Sequence, residues 1–305
     1  MLWHFKEVKF SLANRYLRIA VVFLSVFLAL GVGELANKFK SSLPANCQFH
    51  THPTSYGLTG NYQGYKLVLQ NSSGKIVSKN ETINFSILDP DNKVLNHFTV
   101  THEMQLHLFI VGANYSYFYH LHPIFKDGYW QATLPQPLNG KARFVVDFTP
   151  LGKKTNTVLG VGINFTGSNP TWSLPQPTDT IINSDFTYKI LGGLSTTSAN
   201  SLVITVKNSK GEAVHLERYL GVLGHAIAFN ISNGRYYHFH SMSEKAMSLC
   251  PTYAFVIKDL WLESDAKEGM IHLMSDINMP GKYLVYLQFQ SKKLVYTLPF
   301  TIYVS

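Results

Sequence analysis

Cysteine is almost absent from this chain of 305 residues: Cys47 and Cys250 are the only two. A disulfide scaffold is therefore excluded, and the pair is left either as one bridge between distant segments or as soft metal ligands. Charge is sparse as well, at 14% of residues. The net charge of +8 is owed in good part to Lys6, Lys9, Arg15 and Arg18, and the other basic residues form no stripe. No nucleic-acid motif appears either, so no nucleic-acid partner is expected. The chain also lacks Gly-x-Ser-x-Gly, His-Glu-x-x-His and any phosphate-cradling loop, and it does not read as an enzyme.

Long apolar runs are missing with one exception, Ile19 to Gly33, which carries no charge and is bracketed by basic residues before it and by Glu34, Lys38 and Lys40 after it. A charge at bilayer depth costs about 2.5–3.5 kcal/mol on insertion scales, so this is the one stretch suited to spanning. Residues 1–44 read as a cytoplasmic N-terminus and signal anchor helix, with a signal cleaved near Ala29-Leu30-Gly31 as the alternative. The expected location is a single pass through the inner membrane, with the C-terminal part in the periplasm or outside the cell.

What the chain does have is an aromatic content of 13%, spread in runs with Val, Ile and Thr that suit pleated, half-buried surfaces. The expected class is all-β. Strand candidates open at Gly64 (GYKLVLQN) and Asp185 (DFTYKIL), and a turn at Asn208 to Gly211 separates two alternating runs. Short strands at this spacing predict two tandem immunoglobulin-like β-sandwich modules after the N-terminal transmembrane helix. They are placed at 60–168 and 182–305, with 45–59 as a linker carrying a Cys/His cluster and 169–181 as a Pro-rich linker.

The two modules share a repeat. QLHLFIVGANYSYFYHLHP from Gln105 aligns with LGHAIAFNISNGRYYHFHS from Leu223, so that His107, His120 and His122 match His225, His238 and His240 at one constant offset. Further on, Gly128 and Gly140 bracket one run and Gly269 and Gly281 another, each second glycine followed by Lys and then ARFVVDF or YLVYLQF. Alternate residues of a strand share a face, so each His-x-His pair points one way. A hairpin turn at Gly112 to Ser116, or at Asn233-Gly234, brings the first histidine across from the pair.

Three imidazoles so placed suit copper, zinc, nickel or iron. In the second module Met242, Met247 and Cys250 follow His238 and His240 closely, with Met270, His272, Met274 and Met279 beyond, and Cys47, His50 and His52 follow the anchor. Thioether and thiolate donors tilt the choice toward copper, with zinc as the second candidate. His102, Glu103 and Met104 correspond to Leu220, Gly221 and Val222, and that asymmetry argues against them as ligands. Histidines packed among tyrosines are also compatible with a purely architectural role.

These residues carry a resemblance. HLFIV from His107, FYHLHP from Phe118, DGYW from Asp127 and NGKARFVVDF from Asn139 resemble a group of exported bacterial proteins built from such elements, and YLGVLGH and YYHFH repeat the pattern. Ser241 stands where a proline follows the second histidine pair, and an acidic residue common in the hairpin turn is absent. The resemblance covers roughly 60–305, implies a two-module β architecture and is compatible with metal handling. The functional expectation is a membrane-anchored metal-binding protein acting with an exported metal-handling or cell-surface partner. The competing expectation is an adhesion or structural β-sandwich protein.

Overall fold

The structure, a computed structural model, describes residues 55–70, 81–134, 138–196, 200–241, 263–275 and 277–305. The expected anchor and the sequence candidates Cys47, His50, His52, Met242, Met247 and Cys250 lie outside them. No helix among the described residues is long and apolar enough to cross a membrane. The described residues all belong to one compact unit.

Among the described residues the fold is all-β, apart from one short helix at Glu263–Glu268. The strands up to Asn164 form two antiparallel sheets. One has the order β1 (Asn61–Tyr62), β2 (Tyr65–Leu69), β3 (Thr82–Leu88), β8 (Tyr129–Thr133) and β7 (Ile124–Lys126). The other runs β10 (Thr157–Asn164), β9 (Lys141–Pro150), β5 (Leu106–Gly112) and β6 (Phe118–Leu121), with β4 (Phe98–Thr99) also pairing β9. The strands from Thr180 repeat the plan: β11 (Thr180–Ile182), β12 (Phe186–Gly192), β13 (Asn200–Asn208) and β16 (Met270–Ser275) form one sheet. Its companion is β15 (Tyr236–His240), β14 (His225–Asn230), β17 (Gly281–Ser291) and β18 (Leu294–Val304).

Side-chain parity explains how the sheets stack. The even-numbered residues Leu106, Leu108, Ile110, Phe144, Val146 and Phe148 meet Leu67, Phe85, Ile87 and Trp130 in a first core between the two N-terminal sheets. Ala226, Ala228, Val285, Leu287 and Phe289 meet Tyr188, Ile204, Val206 and Ile271 in a second core. The opposite faces of β5 and β9 and of β14 and β17 do not meet water. Phe109, Val111 and Val145 pack there against Ile227, Phe229, Tyr236, Leu284 and Tyr286 in a third core between the two sandwiches. Burial on both faces is why LHLFIVG and HAIAFN read as continuous apolar runs rather than alternating ones; all residues of both strands are buried.

Polar contacts pin this third layer. The Phe118 and Tyr286 rings stack at 4.3 Å, and the Tyr286 hydroxyl donates to the Tyr115 carbonyl at 2.9 Å. The Arg143 guanidinium donates to the carbonyls of Gly57 and Gly234. Gly160 in β10 lets the 57–60 segment lie against the sheet, since a Cβ there would stand 1.9 Å from the Gly57 carbonyl oxygen, whereas one at Gly162 meets nothing within 4 Å. Gly160→Ala is therefore expected to cost about 1–3 kcal/mol in urea denaturation, as overpacking does, and Gly162→Ala to stay within about 0.5 kcal/mol of the parent. Equal midpoints for the two variants would contradict this packing.

Candidate metal centre

The two hairpins that carry the histidines share one register. Phe109 opposes His120 across β5 and β6, which sets His107 opposite His122; in the second copy Ile227 opposes His238 and His225 opposes His240. The first histidine of each copy thus faces the last. All six side chains project to the same side as Phe109 and Ile227, the side that forms the third core.

Each copy gathers its three imidazoles. One ring nitrogen from each of His107, His120 and His122 lies within 4.8 Å of the others, and the same holds for His225, His238 and His240. His107 Nδ1 is 3.0 Å from His120 Nε2, and His238 Nε2 is 2.9 Å from His240 Nε2. Ligand nitrogens of a tetrahedral ion with bonds of about 2.0–2.1 Å stand about 3.3 Å apart, so these pairs are on the scale of neighbouring ligands.

The other ring nitrogens are tied down, and this fixes which nitrogen holds a lone pair. His107 Nε2 donates to the Thr101 carbonyl at 3.2 Å, and His225 Nε2 donates to the Tyr219 carbonyl, its counterpart, at 3.0 Å. The middle histidines reach across the interface instead. His238 Nδ1 lies 3.3 Å from Asp147 Oδ2, and His120 Nδ1 lies 2.7 Å from Gln288 Oε1. Gln288 donates its amide to Thr297 at 3.1 Å, leaving the oxygen to accept. Asp147 is held in turn by the Tyr236 hydroxyl at 3.0 Å and by the Asn156 amide at 2.8 Å.

With those hydrogens placed, His107 Nδ1 and His120 Nε2 face each other as two lone pairs. Acceptors at that distance repel unless a cation or a shared proton lies between them. Two further nitrogens, His122 Nε2 and His225 Nδ1, are buried with no hydrogen-bond partner among the described residues. A buried polar atom left without a partner costs about 1–3 kcal/mol, a penalty that an ion bound there removes.

Four of the imidazoles, those of His107, His120, His122 and His225, are held toward the neutral form, the one that binds metal. Burial pushes His107 and His122 down to about 4, with Asp147 partly offsetting the shift at His107. Burial and the neighbouring imidazoles hold His120 and His225 well below the ordinary value. His107 is 2% exposed and His225 fully buried.

Three participants escaped the sequence reading. His102, set aside because Leu220 replaces it in the second copy, stacks its ring on His240 at 3.5 Å and lies 5.6 Å from His225. It sits in a tight turn closed by Thr101 and Met104, with φ of 49° at His102 and 66° at Glu103, a backbone region that residues other than glycine seldom occupy. Asp147 and Gln288 are the other two. Each lies on the strand beside the first histidine of its own copy, opposite His107 and His225 respectively. Their signal was the shared position in ARFVVDF and YLVYLQF, at the same distance from Gly140 and Gly281. Of the methionines beyond the insertion, Met279 accepts a contact from the Asn233 amide at 3.0 Å, away from the triads. His272 lies 3.6 Å from Asp265 and joins neither triad.

Residues 180–305, which include the second triad, match a domain of unknown function (DUF8832). No curated protein matches the chain. Among solved structures it is similar to invasin, a bacterial integrin-binding protein, at 9% identity over 78% of this chain and 39% of that one, with a TM-score of 0.20. It is similar to the D00-D0 domain of intimin at 10% identity, over 79% of this chain and 99% of that one, with a TM-score of 0.19. For MtrC from Shewanella baltica OS185 the values are 7%, 79%, 68% and 0.23. The chain thus spans well under half of the invasin chain, and likenesses of this size carry no argument about function.

The depressed imidazoles have a consequence for stability. The unfolded chain takes up protons near the ordinary value of 6.5, while His107 and His122 in the folded protein refuse them until about 4. Stability is therefore present above 6.5 and lost as pH falls through that window, because the unfolded state binds more protons there. Metal-free protein is expected to show a lower urea midpoint at pH about 5 than at pH about 7.5, with a shallower dependence after His107→Gln and His122→Gln. An unchanged slope in that double variant would show that other groups govern the acid loss.

Proposed function

We propose that this chain is an exported, membrane-anchored metal-binding protein that holds copper at its histidine triads, for sequestration or delivery. The observation that carries the reading is the disposal of ring hydrogens. His107, His120 and His225 each engage one nitrogen with a carbonyl or amide oxygen, which leaves the other for its triad, and His238 sets its Nδ1 toward the Asp147 carboxylate and its Nε2 toward His240. Outer partners of this kind set the tautomer and orientation of metal-ligating histidines.

Copper is preferred to zinc on donor chemistry: neutral imidazoles serve both, while the methionines and Cys250 in the insertion between the second His-x-His pair and Gly269 are soft donors that favour Cu(I). The anchor rests on the uncharged run from Ile19 to Gly33 and the basic residues before it. The immunoglobulin-like assignment rests on the strand order that both sandwiches share. Asp147 is engaged by Tyr236, Asn156 and His238, a supporting position rather than that of a general base, so the reading includes no catalysis.

The full-length protein in detergent, equilibrated reduced with Cu(I), Cu(II) and Zn(II) against competing chelators, is expected to bind Cu(I) tightest. Binding should vanish when the six triad histidines are replaced by alanine, and Asp147→Asn should weaken it about 10–100-fold. If the parent protein leaves all three metals with the chelator, the histidines are architectural and the search moves to a protein partner at the cell surface.

A further inference from the structure

The two triads are not separated by a domain's width; they face each other across one seam. Ring centroids of His107 and His238 stand 5.5 Å apart, and those of His120 stand 6.1 Å from both His225 and His238. Separations inside a triad run from 4.3 Å for His238 and His240 to 5.8 Å for His225 and His238, so the two ranges overlap. His102 bridges the seam, stacked on His240 and 6.5 Å from His107. A single cavity of about 30 Å³ is lined by His102, His107 and Asp147 from one sandwich and by His238 and His240 from the other. The hydrogen bonding crosses as well: Asp147 orients a histidine of the second triad and Gln288 orients one of the first.

We propose that the six histidines form one dinuclear centre at the interface, in which each sandwich supplies three ligands to one ion and the orienting oxygen for the other ion. This rests on the metal-binding reading above and adds to it the count and the coupling. Ions bonded at about 2.0–2.1 Å to triads this close would stand roughly 4–7 Å apart. At such a distance their charges interact strongly. Repulsion scales with the product of the charges, so a divalent pair repels four times as strongly as a monovalent pair. Asp147 places a carboxylate beside the triad histidine His238. The centre is therefore suited to two Cu(I) ions.

The test uses the full chain loaded anaerobically with excess Cu(I), freed of loose metal, counted, and then oxidised in place with ferricyanide for electron paramagnetic resonance. The proposal expects two coppers per chain, a half-field transition, and a main signal split by dipolar coupling. His238→Ala with His240→Ala should keep one copper and give an ordinary mononuclear spectrum of full intensity. One copper per chain in the parent, or two with an uncoupled spectrum, would overturn the shared centre and leave metal binding standing. No bound copper would overturn both readings. The spectrum of the parent protein decides without the variant, so a variant that fails to fold does not blunt the test.

Discussion

A neutral imidazole carries one N–H and one lone pair, and enclosing it between two sheets obliges the surroundings to answer both. Much of the interface between the sandwiches is arranged around that obligation. The turn at Thr101 places a carbonyl for His107, and the turn at Tyr219 places one for His225. The middle histidines have no such turn near them, and their acceptors come from the neighbouring sandwich. Tyr236 and Asn156 hold Asp147, and Thr297 holds Gln288, so each acceptor is itself fixed. For His107, His120, His225 and His238 the hydrogen goes outward, to an oxygen outside the triad.

The sheets make this possible by being buried twice. Even-numbered residues of β5 and β9 fill the first sandwich, and the odd-numbered ones, histidines included, fill the layer between the sandwiches. Aromatic contacts such as Phe118 on Tyr286, and Phe109 beside Tyr236 at 5.3 Å, keep that layer dry next to the imidazoles. Burial holds His107, His120, His122 and His225 toward the neutral form and strengthens the few polar contacts present. Apolar packing and ligand placement thus share the same strands.

Much of this was legible in the chain before folding was considered. Periodicity and turn dipeptides located β2, β5, β6, β8, β12, β14 and β15, because these strands lie within hairpin reach of a glycine or asparagine turn. The repeat located the triads. The register was not legible, since the pattern allows His107 to lie opposite either His120 or His122; pairing of Phe109 with His120 sets it opposite His122. Nor was the meeting of the triads, which depends on contacts between residues more than a hundred positions apart. His102 was hidden because its counterpart is Leu220, and a repeat reveals only what both copies keep. Asp147 and Gln288 were hidden for the opposite reason: both copies keep the position but not the residue type.

That last position has a consequence for how the two halves of the chain meet. Asp147 reaches His238 and Gln288 reaches His120, so position i of one half meets j of the other while j meets i. A reciprocal contact of this kind is isologous, the sort that a two-fold symmetric homodimer makes between identical subunits. Tandem copies stacked head to tail have no cause to produce it. The two halves of this chain thus meet as the two subunits of such a dimer would. Neither half is a spare, since each depends on its sister for the hydrogen-bond acceptor of its own middle imidazole.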